Sequence, residues 1–261
     1  MRISWTYAVT VICGVMTVLT QAASAQAAQG AQSDWSLSGN VSLVSDYRFR
    51  AISQTYRGPA VQGGFDLNHG AGFYAGTWAS NVSGNQYPGG NGMEIDLYGG
   101  YRFDLDHSLK ADVGLMHYLY PDAKVAAGGK RFDTTEVYGA LALGDLSLKL
   151  NYSLGDSFGV NDSSGSFYLD LSYQYALTDA LSLSLHVGRA DIRNGTQGGA
   201  TDPNYTDYKV GLVGSAAGLS WGIAYIGNNA KDGAYTVVHA SDGSSRVVSK
   251  DTVVLSVGKA F

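Results

Sequence analysis

The chain has 261 residues and a formal net charge of −5, so it lacks the basic surface that nucleic-acid binding requires. Beyond its first residues, no apolar run reaches the roughly 18 residues of a membrane-spanning helix. The 35 glycines, 18 tyrosines and only 4 prolines instead favour a protein of many strands joined by tight turns.

The N-terminal residues have the features of a secretory signal peptide. One basic residue, Arg2, precedes an apolar stretch, and small residues ending at Ala25 supply a cleavage site. We predict a signal peptide at residues 1–25 with cleavage after Ala25, a short periplasmic segment at 26–34, and a barrel domain at 35–261. The single cysteine, Cys13, lies within the signal, so the mature chain forms no disulfide.

Apolar and polar residues alternate along most of the remaining chain. From Trp35 to Arg50 the odd positions are mainly apolar and the even positions mainly polar. Alternation of this length indicates a strand longer than those of ordinary globular sheets. The same pattern predicts twelve strands, at Trp35 to Arg50, Ala60 to Asn68, Phe73 to Asn81, Met93 to Asp104, Leu109 to Leu119, Thr135 to Leu143, Leu146 to Leu154, Phe167 to Tyr175, Leu181 to Val187, Tyr205 to Val213, Leu219 to Ile226 and Val253 to Phe261.

The connections between the predicted strands alternate in length. Short turns such as Gly144-Asp145 are followed by long polar loops such as Gly155 to Gly165. Short turns on one side and long loops on the other are typical of bacterial outer-membrane barrels. The predicted fold is therefore all-β: a transmembrane antiparallel up-and-down barrel of about twelve strands, with short periplasmic turns and long extracellular loops.

The apolar stripe of this barrel would face lipid, with aromatic residues at both ends. Tyr47 and Phe49 are predicted to belong to the outer aromatic girdle, and the terminal Phe261 resembles the signal read by the bacterial barrel-assembly machinery. Because lipid cannot satisfy open sheet edges, a membrane sheet must close. The alternative is a soluble β-sandwich or lipocalin-like barrel, whose apolar side would face inwards.

The polar stripe would then face the lumen. Charges in a low-dielectric wall need water or partners, and a twelve-stranded backbone has a radius of roughly 12 Å. Two interpretations stay open: a small-solute pore with a charged constriction, or an interior filled by paired acids and bases. The candidate lumen-lining residues are Asp46, Arg48, Arg50, Asp66, Glu94, Asp96, Arg102, Lys110, Asp112, Glu136, Lys149 and Asp170.

The residues from Ser38 to Val82 resemble the opening of the TorF family of porins, also called the Gcw_chp family. The likeness lies in Ser45-Asp46-Tyr47-Arg48-Phe49-Arg50, in Gln62-Gly63-Gly64-Phe65 and in Gly72-Phe73-Tyr74-Ala75-Gly76-Thr77-Trp78. Ala51 stands where the family usually has glycine, which affects loop geometry more than fold. The resemblance implies an outer-membrane barrel with a porin role and supplies no catalytic residues.

Enzyme chemistry has little support in the sequence. Of the five histidines, His186 alone is predicted to point inwards, beside Ser184, and strand serines commonly line lumens. Asp104 and Asp106 could hold calcium loosely, but acids in turns usually bond to their own backbone. We therefore predict no enzyme, no catalytic or metal residues and no cofactor.

The predicted function is passive diffusion of small polar solutes or ions through a porin-like channel of the bacterial outer membrane. The alternative is a closed structural barrel whose extracellular loops mediate adhesion or surface protection. Expected partners are membrane lipid and lipopolysaccharide, the assembly machinery and the solutes. Oligomerisation stays open, since an aliphatic wall suits a neighbouring subunit as well as lipid. Charge at the outer mouth, from Arg48 and Arg50 against Glu94 and Asp96, is predicted to set ion selectivity.

Overall fold

The computed structural model describes residues 34–125, 130–196 and 200–261. The predicted signal peptide and residues 26–33 lie outside the described residues, so their assignment stays a prediction. No helix in the described ranges is long and apolar enough to span a membrane.

Strands dominate the described part of the chain, and they are numbered here in chain order. They are β1 (Trp35–Val44), β2 (Arg48–Phe49), β3 (Ile52–Ser53), β4 (Ala60–His69), β5 (Phe73–Asn81), β6 (Met93–Asp104), β7 (Leu109–Leu119), β8 (Thr134–Leu143), β9 (Leu146–Ser153), β10 (Phe167–Thr178), β11 (Leu181–Asp191), β12 (Tyr205–Ala216), β13 (Leu219–Asn228), β14 (Thr236–Val238), β15 (Ser245–Val247) and β16 (Thr252–Ala260). A short 3₁₀ helix covers Asp232–Ala234.

Twelve of these strands form one closed antiparallel barrel, in the order β1-β16-β13-β12-β11-β10-β9-β8-β7-β6-β5-β4. The first and last strands close it, with Asn40 opposite Ala260 and Val44 opposite Ser256. The backbone groups of Gly39 and Phe261 exchange two hydrogen bonds at this seam, of 2.8 and 2.9 Å. Closure leaves the sheet no free edge. The predicted twelve-stranded antiparallel barrel is confirmed.

Leucines, valines and aromatic residues cover the outside of the barrel. Their alternation with buried or half-buried residues runs along every barrel strand, as in β1, where Leu37 and Leu43 are exposed and Val44 is buried. Aromatic side chains are exposed at both ends of the wall, for example Trp35 at one end and Tyr152 at the other. The apolar side of the sheet therefore faces outwards, opposite to a soluble sandwich.

The connections divide the barrel into two ends. One end, called here the turn end, has connections of two to four residues, at 70–72, 105–108, 144–145, 179–180 and 217–218. The other, called the loop end, has connections of eleven residues or more, at 45–59, 82–92, 120–133, 154–166, 192–204 and 229–251. Both chain termini of the barrel lie at the turn end, as the even strand count requires.

The connection at residues 45–59, called here the inward segment, turns into the barrel instead of continuing the wall. It carries the small hairpin of β2 and β3, in which Arg48 pairs with Ser53 and Phe49 with Ile52. The prediction that the first strand reaches Arg50 is therefore wrong, because β1 ends at Val44. In the β1–β4 register Val44 faces Ala60, so the next partner would be Pro59, which has no N–H for the ladder.

Candidate functional site

The inner face of the barrel differs between its two ends. At the loop end, inward side chains such as Glu94, Tyr118, Glu136 and Ile226 are almost completely buried. Nearer mid-height, Asp170 of β10 keeps 28% of its side chain exposed, and toward the turn end Arg102 of β6 keeps 27%. The lumen is thus filled near the loop end and accessible from the turn end.

Aromatic contacts of the inward segment account for this filling. The Tyr47 ring meets Trp78 of β5 edge-on, with centroids 5.4 Å apart. Phe49 packs in the same manner against Tyr118 of β7 at 5.5 Å and against Phe158 of the 154–166 loop at 5.4 Å. Tyr47 and Phe49 were predicted to lie in the outer girdle, but both are buried inside the barrel. Because the chain turns inwards after Val44, these two side chains lie in the lumen and not on the outer face of the wall.

Arg48 bonds other residues of the inward segment and also the connection at 229–251. Its Nε donates to Asp46 at 2.7 Å, and its Nη1 donates to the carbonyl oxygens of Ala51 at 3.0 Å and Lys250 at 2.9 Å. Asp46 also accepts a 2.6 Å hydrogen bond from the Ser53 hydroxyl. A buried guanidinium needs this many acceptors, because burying a charge without partners is costly.

Arg50, at the tip of the hairpin, reaches across the lumen. Its Nη2 lies 2.7 Å from a carboxylate oxygen of Glu136 on β8, which is five strands around the wall from β1. The guanidinium also lies over the ring of Tyr168 at 4.5 Å. On a further side, the Tyr205 hydroxyl of β12 donates to the Arg50 carbonyl oxygen at 2.8 Å. The hairpin tip is therefore held by the far wall.

The 82–92 loop supports the inward segment from the loop end. The Gln86 side chain donates to the Ser53 carbonyl oxygen at 2.5 Å and accepts from the Tyr56 amide at 2.8 Å. The Tyr87 hydroxyl donates to the Gln54 side chain. Burial raises the pKa of the Tyr87 hydroxyl, which keeps it protonated as a donor.

The wall near the loop end carries acids. Glu94 and Asp96 of β6, Glu136 of β8 and Asp207 of β12 are each at most 2% exposed. The Tyr118 hydroxyl donates to Glu136 at 3.2 Å, whereas Asp96 receives no hydrogen bond from the described residues. Among the described strands, Lys209 of β12, the next inward residue after Asp207, is a wall cation beside this group. The other positive charges near these acids, on Arg48 and Arg50, belong to the inward segment.

A second polar group lies nearer the turn end, on β5 to β7. The Tyr74 hydroxyl donates to Asp112 at 2.6 Å, and the Arg102 guanidinium lies 3.4 Å from the same carboxylate. Arg102 also covers the Tyr74 ring at 3.8 Å and donates to Asn68 at 3.2 Å. These contacts form a charged but half-exposed rim.

The histidine of the predicted inward pair lies between two carboxylates. His186 Nε2 is 2.8 Å from Asp207, and Nδ1 is 3.2 Å from Asp170. Ser172 lies 3.2 Å from Nδ1 but donates its proton to Asp170 at 2.6 Å, so it does not act as an activated nucleophile. Ser184 is buried and is not among the hydrogen-bond partners of His186 in the described chain.

The twelve candidate residues fall into two groups. Asp46, Arg48 and Arg50 lie on the inward segment and not on the wall. The other nine belong to barrel strands and are set apart by their height: Glu94, Asp96, Glu136 and Asp170 lie in the half nearer the loop end, and Asp66, Arg102, Lys110, Asp112 and Lys149 lie from mid-height to the turn end. Among the described residues, no three His, Cys, Asp or Glu side chains are placed to hold a metal ion.

Sequence reasoning missed two inward residues on β12, Asp207 and Lys209. The alternation that identifies them was present, because Tyr208 and Val210 lie between and beyond them and are exposed. Asp207 joins three strands at this site, because it bonds His186 of β11 and accepts a hydrogen bond from the Tyr168 hydroxyl of β10 at 2.9 Å.

The comparisons with known proteins concern family and fold. The family described as "Bacterial protein of unknown function (Gcw_chp)" matches residues 28–261. This supports the Gcw_chp part of the predicted resemblance, whereas the TorF name finds no support. No curated protein sequence matches the chain.

Solved porins have a similar fold at low sequence identity. The KdgM porin is 8% identical with a TM-score of 0.51, covering 86% of this chain and 99% of that one. The NanC porin is 12% identical with a TM-score of 0.50, covering 86% and 98%. A KdgM porin in complex with disordered oligogalacturonate is 7% identical with a TM-score of 0.50, covering 86% and 98%. At such identities the likeness concerns the barrel alone.

Proposed function

The chain belongs to the Gcw_chp family of bacterial proteins, and we propose that it forms a porin-like channel that lets small polar solutes or ions diffuse passively across the outer membrane. The apolar outside with exposed aromatic residues at both ends supports the membrane location, because an apolar band between two aromatic girdles matches a lipid bilayer. In this location the turn end faces the periplasm and the loop end faces outwards.

One observation carries the channel proposal: a polar, partly accessible lumen that narrows around an inward segment. Arg102, Lys149, Asp170 and Ser172 remain half-exposed inside the barrel. Side chains of this kind need water, and water inside a membrane barrel fills a passage. A barrel that served only as a scaffold for its loops would gain nothing from a hydrated, charged interior.

The identity of the solute does not follow from the similar barrels. One KdgM structure contains an oligogalacturonate, an acidic sugar chain. In the present chain, the wall near the loop end carries Glu94, Asp96, Glu136 and Asp207. Like charges repel a polyanion in a narrow, low-dielectric passage. We therefore propose small polar solutes or ions for this channel and not that sugar.

The test is to express the full chain, recover the mature protein from the outer-membrane fraction and reconstitute it in planar bilayers. We expect stepwise currents, and leakage of small sugars from loaded vesicles, since a hydrated lumen passes both. Vesicles containing heat-denatured protein are the matched control. A protein recovered from the soluble periplasm would contradict the membrane location. If neither the full chain nor a variant without the inward segment gives currents or leakage, the result would favour the closed structural barrel with adhesive or protective loops.

A further inference from the structure

Positive and negative charges near the loop end belong to different parts of the molecule. The wall strands supply Glu94, Asp96 and Glu136 there. The inward segment supplies Arg50, which pairs with Glu136 at 2.7 Å, whereas its Arg48 is paired with Asp46 of the same segment. Apart from Lys209 beside Asp207, the described wall here is acidic, and its neutralisation depends on where a single connection lies.

The inward segment is attached differently from a wall strand. Its backbone bonds to the wall through its first residue, Ser45, whose amide donates to Leu255 at 2.9 Å. Beyond Ser45, its hydrogen bonds to other backbone groups of the described residues are internal or join other loops: the Ser53 amide donates to Val248 at 3.0 Å, and the Ser83 amide donates to Gln54 at 2.8 Å. It reaches the far wall through the side chains of Arg50 and Tyr205 and through ring contacts. Such a segment can leave the lumen without breaking the barrel ladder.

The inward segment is backbone-strained at two places. Arg50 and Ala51, at the hairpin tip, have φ values of 48° and 65°, and Tyr56 and Arg57, after the hairpin, have φ values of 55° and 62°. Residues other than glycine adopt this region only at a cost, so the surrounding contacts must hold the inward conformation in place. The Arg50–Glu136 ion pair, at 2.7 Å, is the charged contact that joins the hairpin tip to the wall.

We propose that the wall near the loop end selects cations, and that the inward segment is the gate that fills this part of the lumen and neutralises it with Arg50. The proposal rests on the channel function proposed above and adds its solute class and its regulation. When the segment leaves, the Arg48–Asp46 pair and Arg50 leave with it, and the carboxylates of Glu94, Asp96 and Glu136 face the passage without the charge of Arg50. Acidic rings of this kind favour cation passage.

The strand register offers a direct test. Because Val44 faces Ala60 across the β1–β4 ladder, a two-residue Asn-Gly turn can replace residues 45–59 and continue the hairpin. We expect this gateless variant to fold into a barrel, so that an unheated sample migrates differently on a denaturing gel from a heated sample of the same protein. It should pass larger currents than the full chain and should prefer potassium to chloride, measured as the reversal potential in a KCl gradient.

Removing the wall acids tests the charge assignment. In the gateless variant, Glu94→Gln with Asp96→Asn and Glu136→Gln should abolish the cation preference while the current persists. The matched control removes three exposed acids at the turn end instead, Asp104→Asn, Asp145→Asn and Asp179→Asn, and should keep the preference. A gateless channel without cation preference, or with an unchanged preference after the wall acids are removed, would overturn the assignment of the acidic wall.

Single variants of the full chain test the gate and do not depend on the gateless variant folding. Arg50→Gln should raise the open fraction several-fold, because the tip loses its ionic contact with Glu136. Exchanging the pair, Arg50→Glu with Glu136→Arg, should return the open fraction toward that of the unaltered chain. Arg189→Gln, on the exposed outer face, is the control. Equal open fractions in all four proteins would refute the gate.

The two proposals fail in different ways. If neither the full chain, nor Arg50→Gln, nor the gateless variant conducts, the channel function itself is wrong. If the full chain conducts and the gateless variant adds no current, the channel stands and the gate is wrong.

The same charges can be tested in the full chain with the gate in place. Arg48→Gln with Arg50→Gln should shift the ion selectivity toward cations, and Glu94→Gln with Asp96→Asn should shift it toward anions. Unchanged selectivity in both would remove these charges from the filter.

Discussion

Ala51, at the tip of the inward hairpin, has a backbone conformation that is unfavourable for alanine. Its φ of 65° lies in the left-handed region, where the Cβ of an L-residue meets its own backbone. Arg50 beside it, with a φ of 48°, completes a two-residue turn of the kind that favours glycine or asparagine. The side chain of Arg50 is needed for the contact with Glu136, but the methyl group of Ala51 is not.

Ala51→Gly should therefore stabilise the inward conformation by about 1 kcal/mol, since it relieves left-handed strain of roughly that size. Hydrogen exchange of the amides at residues 47–54 should slow by several-fold, and channel openings should become rarer. Ala190→Gly, on the buried side of β11, is the control and should destabilise its strand by about 0.5–1 kcal/mol. Faster exchange in the Ala51→Gly hairpin would show that strain does not limit its stability.

Pairs of glycine and tyrosine shape the wall at the scale of neighbouring strands. Gly76 of β5 lies opposite Tyr98 of β6 in the register. A Cβ added at Gly76 would lie 2.5 Å from the Tyr98 ring, so the tyrosine lies flat over the bare backbone of its neighbour. This arrangement lets the Tyr98 hydroxyl donate to Asp66 of β4 at 2.7 Å. Large rings fit inside a narrow barrel because glycines leave room for them.

Gly76→Ala should destabilise the barrel by about 1–3 kcal/mol, the usual cost of forcing an extra methyl group into a packed site. The urea midpoint of the folded band on unheated gels is the measurement. Gly139→Ala on β8 is the matched control, because a Cβ there meets no atom within 4 Å. Its midpoint should stay the same or rise slightly. Equal losses in both variants would mean that strand propensity, and not the Tyr98 contact, determines the effect.

At the scale of the whole molecule, the closed ladder and the unequal connections give the barrel two different ends, and so a direction in the proposed membrane location. The loop end bears six long connections and the turn end bears five short ones. The chain enters and leaves the barrel at the turn end, with Trp35 opposite His69 at the start of the first strand. In bacterial outer-membrane barrels the long loops face the exterior.

Epitope tags inserted at Asn161 or Gly233 should therefore bind antibody on intact cells, because exposed loops tolerate insertion and face outwards. Tags in the turns at 144–145 and 217–218 are the control and should bind antibody only after permeabilisation. The sequence alone predicts the same accessibility for Gly198, in the connection at 192–204, but this residue lies outside the described residues. Labelling of the turn tags on intact cells would invert the proposed orientation.

The sequence by itself determined the barrel wall. Strand positions, the outward apolar face and the alternation of turns and loops all follow from period-two patterning and from chain order, which are local properties. Eleven of the twelve predicted strands agree with the structure to within a few residues. The inward orientation of Glu94 and Asp96 follows from the same alternation, since Met93 and Leu97 on the other face are exposed.

Only the tertiary structure decided where residues 45–59 lie. The alternation of the first strand continues through Tyr47 and Phe49, so the sequence pattern gives no reason to end the strand at Val44. The ladder ends there because the next residue, Ser45, would pair with Pro59, which has no N–H. This pairing can be recognised only from the register of β1 and β4. The contact between Arg50 and Glu136 joins positions 86 residues apart. Such pairing depends on the closed geometry of the barrel, which brings opposite walls within reach of one side chain.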